Sequence, residues 1–146
     1  MVELVADRGY GGTTVAALAT VAGVSKASFY EQFRDKEACF FATYDAALRG
    51  AARSVLLGES IAPVGRERLR AGLAAVADLI ATERAAATLV LVDGLAAGPV
   101  VLNHVRRRFG LLETMVADRL AGETDGHRPP VSVSRGIVRG IAFLAR

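Results

Sequence analysis

The chain has 146 residues, 52% of them hydrophobic, and a formal net charge of +3. That length favours one domain, or a small head on a larger body, and the weak positive charge is compatible with nucleic acid without requiring it. A single cysteine, Cys39, excludes an internal disulfide framework and fits a reducing cytoplasm.

Met1 runs straight into Val2-Glu3-Leu4 with no basic segment ahead of an apolar run, so no secretory leader is expected. The first eight residues form the end of a helix, with Val2, Val5 and Ala6 inward and Gly9 as its stop. Tyr10 is expected as a core aromatic. Thr13 sits ahead of a run in which Val15, Leu18, Ala19 and Ala22 recur at helical spacing, and its hydroxyl is placed to cap that helix. Gly23 breaks the run and can take the positive φ of a sharp turn. Ser25 then caps a second helix, Lys26 to Phe33, with Val24 and Phe29 at the spacing of a hydrophobic staple. Phe29 and Phe33 pack back onto Leu18 and Ala19. Lys26, Ala27, Ser28, Tyr30 and Gln32 are left for the outside. Two short helices joined in this way form a helix-turn-helix.

Gly9-Tyr10, Thr13-Thr14-Val15, Leu18-Ala19, Ala22-Gly23-Val24-Ser25, Phe29-Tyr30, Phe33 and Lys36-Glu37 together resemble the DNA-binding head of the tetracycline-repressor (TetR) family of bacterial regulators. The F-Y-x-x-F-x-x-K-E ending makes the resemblance specific, and it covers roughly the first third of the chain. It implies an all-α fold: a three-helix head over residues 1–45, its first helix truncated, then a helical effector-binding and dimerisation body over residues 46–146, its last helix missing. It also implies a transcriptional repressor. As a homodimer it would hold a palindromic double-stranded operator and release it on binding a small, mostly apolar effector. The residues placed for DNA contact are Thr14, Ser25, Lys26, Ala27, Ser28, Tyr30, Gln32 and Lys36. Many members carry His where Gln32 stands, and Gln can still donate to a phosphate. Within residues 1–36, Arg8, Lys26, Arg34 and Lys36 are balanced by Glu3, Asp7, Glu31 and Asp35, so the head is not net basic.

Asp35 is expected to cap a long helix from Lys36 to about Leu57, with Phe40, Tyr44, Ala47 and Leu48 on one face and Glu37 suited to the dipole of its first turn. Ser60 to Gly65 reads as a loop. Arg66 to Thr82 is helical, with Leu69, Leu73, Val76, Leu79 and Ile80 as its stripe. Ala85 to Ala97 is a short buried helix. The apolar run Ala85–Leu102 is not a membrane span, because Asp93 near its middle costs about 2.5–3.5 kcal/mol on insertion scales and Pro99 interrupts it. Pro99 suits a first helical position. The helix it opens runs to about Ala121 on Val101, Val105, Phe109, Leu112 and Val116. Gly122 to Pro130 is a polar loop, and Val131 to Arg146 is a last helix carrying Gly136-x-x-x-Gly140, which can bring two helices close. An apolar effector pocket is expected between the Arg66–Thr82, Ala85–Ala97 and Pro99–Ala121 segments. Phe109 and Met115 supply apolar wall there, and Asp93 and His104 are the best-situated polar groups.

Enzymatic constellations are missing. His104 and His127 lack metal-ligand spacing, and Cys39 has no evident histidine partner. Gly9-x-Gly11-Gly12 lacks the third glycine and the preceding strand of a dinucleotide fingerprint. No enzyme, metal or cofactor is expected. Arg106-Arg107-Arg108 reads as a solvated side of a helix more readily than as a phosphate patch. The rival reading is a helical ligand-binding or scaffold protein whose head no longer binds DNA.

Overall fold

A computed structural model describes residues 1–63, 65–123 and 130–144, with the side chains of 123 and 142–144 left aside. The expected 124–129 part of the polar loop, with His127, lies outside the described residues. Among the described residues all regular structure is helical. The helices are α1 Val2–Gly12, α2 Val15–Ala22, α3 Lys26–Gln32, α4 Lys36–Ser60 and α5 Arg66–Thr82. They continue with α6 Arg84–Thr88, a π turn at Leu89–Asp93, α7 Gly94–Ala96, α8 Pro99–Glu123 and α9 Val131–Leu144.

Gly9 breaks α1 with φ 68° and ψ 168°, so the helix proper stops where expected and Tyr10–Gly12 form a separate turn beyond it. Leu4 and Val5 of α1 are buried and Val2 packs half-buried against the larger core, while Ala6 is exposed. The cap of α2 is Thr14, whose hydroxyl accepts from the Ala17 N–H at 3.2 Å. Thr13, expected in that role, is buried and donates to the Gly9 carbonyl at 2.9 Å, closing the kink behind α1. Adjacent threonines offer the same hydroxyl chemistry, and the kink decided which one faced the helix end.

Two apolar clusters organise the chain. The smaller joins Leu4, Leu18, Phe29 and Cys39, with Met1, Val15, Ala17 and Phe33 packed around it. The larger joins Val5, Phe40, Tyr44, Leu89, Val90, Val101 and Val105. Helix α4 takes part in both. It begins at an Asp35 cap that accepts from the Ala38 N–H at 2.7 Å, worth about 1 kcal/mol. From there it runs past its expected end to Ser60.

The segment expected as one helix from Ala85 to Ala97 is interrupted by the π turn. Such a turn inserts a residue into the i→i+4 ladder. Here the insertion goes with a very close approach. A Cβ on Gly94 would lie 2.9 Å from Val105 Cγ2 and 3.0 Å from Tyr44 Cε2. Within the turn the buried Tyr44 hydroxyl donates to the Val90 carbonyl at 3.1 Å, and burial pushes that hydroxyl above the ordinary phenol range. Truncating Phe40, which is 0% exposed, to Ala should therefore cost about 3–5 kcal/mol in urea unfolding. Tyr44→Phe, which strips the π turn of one donor, should cost about 1–3 kcal/mol.

Candidate nucleic-acid interface and interior cavity

Helix α2 ends in a left-handed Gly23, φ 67°, and the Val24 N–H closes onto the Ala19 carbonyl at 3.0 Å. This turn sets α3 across α2. Ser25 Oγ accepts from the Ser28 N–H at 3.0 Å and lies 3.0 Å from Ser28 Oγ, so α3 starts where the sequence placed it. The inward side of α3 is Phe29, 6% exposed, with Phe33 beside it at a ring distance of 5.5 Å. Val24, expected to staple onto Phe29, is 45% exposed. Everything else on α3 faces out. Lys26, Ala27, Ser28, Tyr30 and Gln32 are exposed together, and Thr14 is exposed at the start of α2. The exposed residues of this short helix thus include a cation, hydroxyls, a phenol and an amide, donors able to meet phosphates and base edges, together with the carboxylate of Glu31.

The charges of this head are unevenly available. Arg8 pairs with Asp7 at 3.0 Å and Arg34 with Asp35 at 2.9 Å, which cancels both arginines locally. Among the described residues no acidic side chain pairs with Lys26. Lys36 is only partly exposed. Its Nζ donates to the Tyr10 carbonyl at 2.9 Å and sits 4.2 Å from the Tyr10 ring centroid. That bond ties the start of α4 to the turn after α1. Burial, then the charges of Glu37 and Asp35, push the Tyr10 hydroxyl up to about 12. Lys36 is therefore a structural tie as well as a partly exposed charge near α3, and its spacing alone could not reveal the first role.

The body contains a cavity of about 530 Å³. Its walls come from α4, α5, α6 with the π turn, α8 and α9, through Val55, Leu69, Val76, Phe109, Met115 and Ile141 among others. Helices α4 and α9 were not among the expected walls. Of the four residues expected to line a pocket, Phe109 and Met115 do so, whereas Asp93 and His104 lie off it. The reason is visible for each. Asp93 closes the π turn, where burial holds its carboxyl above the usual range and its Oδ2 has no hydrogen-bond partner among the described residues. His104 faces α4. Its Nε2 lies 2.8 Å from Asp45 Oδ1, and its ring stacks on Phe41 at 4.3 Å.

Asp45 also accepts from Arg108, with Nε at 2.7 Å from Oδ1 and a second bond from Nη2 to Oδ2. Arg108 is thus bidentate, and one carboxylate on α4 clasps two residues one turn apart on α8. The cavity has its own ion pair. Glu59 on α4 is 9% exposed, and its Oε2 lies 3.3 Å from Arg119 Nη2 on α8. A carboxylate in the last turn of a helix opposes the helix dipole. That misfit appears only once α4 is seen to reach Ser60, since local pattern ends the helix near Leu57. Asp45 gave a hint of its own, lying among the inward apolar residues Phe41, Tyr44 and Leu48.

Residues 2–43 match the family model described as bacterial regulatory proteins, tetR family. In three dimensions the chain is similar to AibR in complex with isovaleryl coenzyme A and operator DNA. The TM-score is 0.74 at 20% identity, over 99% of this chain and 80% of that one. It is also similar to a transcriptional regulator FadR from Bacillus subtilis in complex with stearoyl-CoA, with a TM-score of 0.74 at 17% identity over the same shares. At these identities the likeness is one of fold. No curated protein is matched by sequence. No helix among the described residues is long and apolar enough to cross a membrane.

The Asp45 clasp makes a pH prediction. Burial alone would raise the Asp45 carboxyl, but hydrogen bonds from Arg108 and His104, and their charges, outweigh it and hold the group below its ordinary 3.8. A carboxyl lowered by folding contributes stability above its unfolded value and loses it as the pH falls through the folded one. Asp45→Asn should therefore destabilise the chain by about 1–3 kcal/mol near pH 7. In denaturant titrations the gap to the parent should close as the pH drops below 3.8.

Proposed function

We propose that this chain, a bacterial regulatory protein of the tetR family by the match of its head, binds operator DNA through α3 and releases it when a small, mostly apolar molecule fills the cavity of its body. The observation that carries this reading is a division of labour along connected helices. Helix α3 anchors itself through Phe29 and leaves a polar face outside, while α4 runs from that head directly into the cavity wall. The solved relatives support it in kind. One carries operator DNA, and both carry coenzyme A thioesters, whose acyl portions are apolar.

Within this reading residues 1–45 act as the DNA-binding head and 46–146 as the body. Lys26 and Ser28 read base edges, and Tyr30, Gln32, Lys36, Thr14, Ser25 and Ala27 settle the head on the backbone. The working unit is a homodimer whose heads lie about 34–36 Å apart, one turn of DNA. Its interface uses α8 and α9, where Val131 and Val133 are 60% and 43% exposed. The effector binds the DNA-free arrangement better than the DNA-bound one, since equal affinity for both would shift nothing.

One observation favours a second reading. The locally cancelled arginines of the head leave little net charge for phosphate, as a scaffold protein with a silent head would show. Mobility shift of the full chain on the promoter of its own gene separates the two, and absence of any retarded species would remove the regulator reading. In that assay Lys26→Ala should alter base preference at one or two operator positions. Lys36→Ala should weaken cognate and scrambled DNA alike and reduce the salt slope by about 0.9. A thermal melt run alongside measures what the lost tie to Tyr10 contributes.

A further inference from the structure

The cavity wall is mostly apolar, and its few ionisable groups have a sign. Its ionisable groups are Glu59, Glu83 and Arg119, two carboxylates against one guanidinium. Glu59 is 9% exposed, and its Oε2 accepts no hydrogen bond, although Arg119 Nη2 stands 3.3 Å away. The two partners are not held alike. The Arg119 side chain is 50% exposed, on a long flexible stem. The Glu59 carboxylate is packed from behind by α5, where a Cβ on Gly72 would lie 3.0 Å from its Oε1. Whatever binds here meets a fixed carboxylate and a movable cation.

We propose that the cavity takes a small amphiphile with an apolar chain and a protonated primary amine, and that Glu59 receives the amine in place of Arg119. The inference rests on the reading of the cavity as an effector site and adds the chemistry of the ligand head. A buried carboxylate lacking a hydrogen bond is unfavourable, and an ammonium with three donors satisfies it while its chain covers the apolar wall. Arg119, released, loses little because half of its side chain is already in water. A carboxylate ligand works the other way. It would draw Arg119 off Glu59 and leave a buried charge without its counter-ion, which is strongly destabilising. The phosphates of a coenzyme A thioester would meet the same buried Glu59 carboxylate.

The test is calorimetric titration of the full chain with decylamine, decan-1-ol, decanoate and decanoyl-CoA, each below its micellar concentration. Decylamine should bind about tenfold or more tighter than decan-1-ol or decanoate. In Glu59→Gln, which keeps the shape and removes the charge, that preference should fall below about twofold. In Arg119→Met, which removes the competitor, it should persist or grow. Tightest binding of decanoate or decanoyl-CoA would overturn the proposal, as would an amine preference that survives Glu59→Gln. If all four chains bind equally, the apolar effector site stands and amine recognition falls. If none binds, both fall.

Discussion

Cys39 and Phe40 are neighbours in the chain and belong to different cores. Cys39 packs with Leu4, Leu18 and Phe29, and Phe40 packs with Val5, Tyr44, Leu89 and Val101. A helix turns about 100° per residue, so two consecutive side chains on α4 reach into clusters on different sides of it. Neither cluster can shift against the other without disturbing this helix. Farther along, the same α4 contributes Val55 and Glu59 to the cavity. The core that anchors α3 and the cavity are therefore connected by one 25-residue helix with no proline in it. A rigid element of this kind carries displacement between distant sites better than a chain of loops.

Polar contacts fix how α4 sits on its neighbours. Asp45 holds His104 and Arg108 of α8, the Tyr44 hydroxyl holds the Val90 carbonyl, and Glu59 meets Arg119. Each contact that is made exchanges water for protein partners, so the net gain is modest, and it is the loss of one buried partner that costs more. Their effect is on register. Apolar side chains tolerate sliding by a fraction of a turn, whereas a bidentate carboxylate does not. The head end is fixed in the same manner by Lys36 on the Tyr10 carbonyl, across 26 positions of sequence.

Local rules made much of this legible. The Ser25 and Asp35 caps, the Gly23 turn, the start of α8 at Pro99 and the full extent of α5 from Arg66 to Thr82 follow from patterns of four or five residues. Thr14 replaced Thr13 as a cap because a kink at Gly9 captured the first hydroxyl. Leu4 was passed over, although it proved buried, because the short stretch before the Gly9 break gives too few repeats to fix a period. His104 and Asp93 looked like pocket residues because each interrupts an otherwise apolar segment. The partner of His104 lies 59 residues earlier, on a different helix. The polar group inside the cavity, Glu59, closes a helix that local pattern ended near Leu57, and its partner Arg119 lies 60 positions on, two ends of a contact that periodicity does not join. The π turn left no local mark at all, since Leu89–Asp93 is as apolar as a continuous helix would be.

The close approach at Gly94 bears on how the body can deform. With Val105 and Tyr44 standing where a side chain would be, the seam between α4, the π turn and α8 is already at van der Waals limit. Repulsion rises far more steeply than attraction falls, so that seam behaves as an incompressible hinge line. The contact of α4 with α5 is close as well, since a Cβ on Gly58 would lie 3.2 Å from Ala75 Cβ and one on Gly72 would lie 3.0 Å from Glu59 Oε1. Helix α4 is therefore held between two tight seams along its length. A displacement imposed on its cavity end is shared by the whole helix instead of being absorbed by local compression.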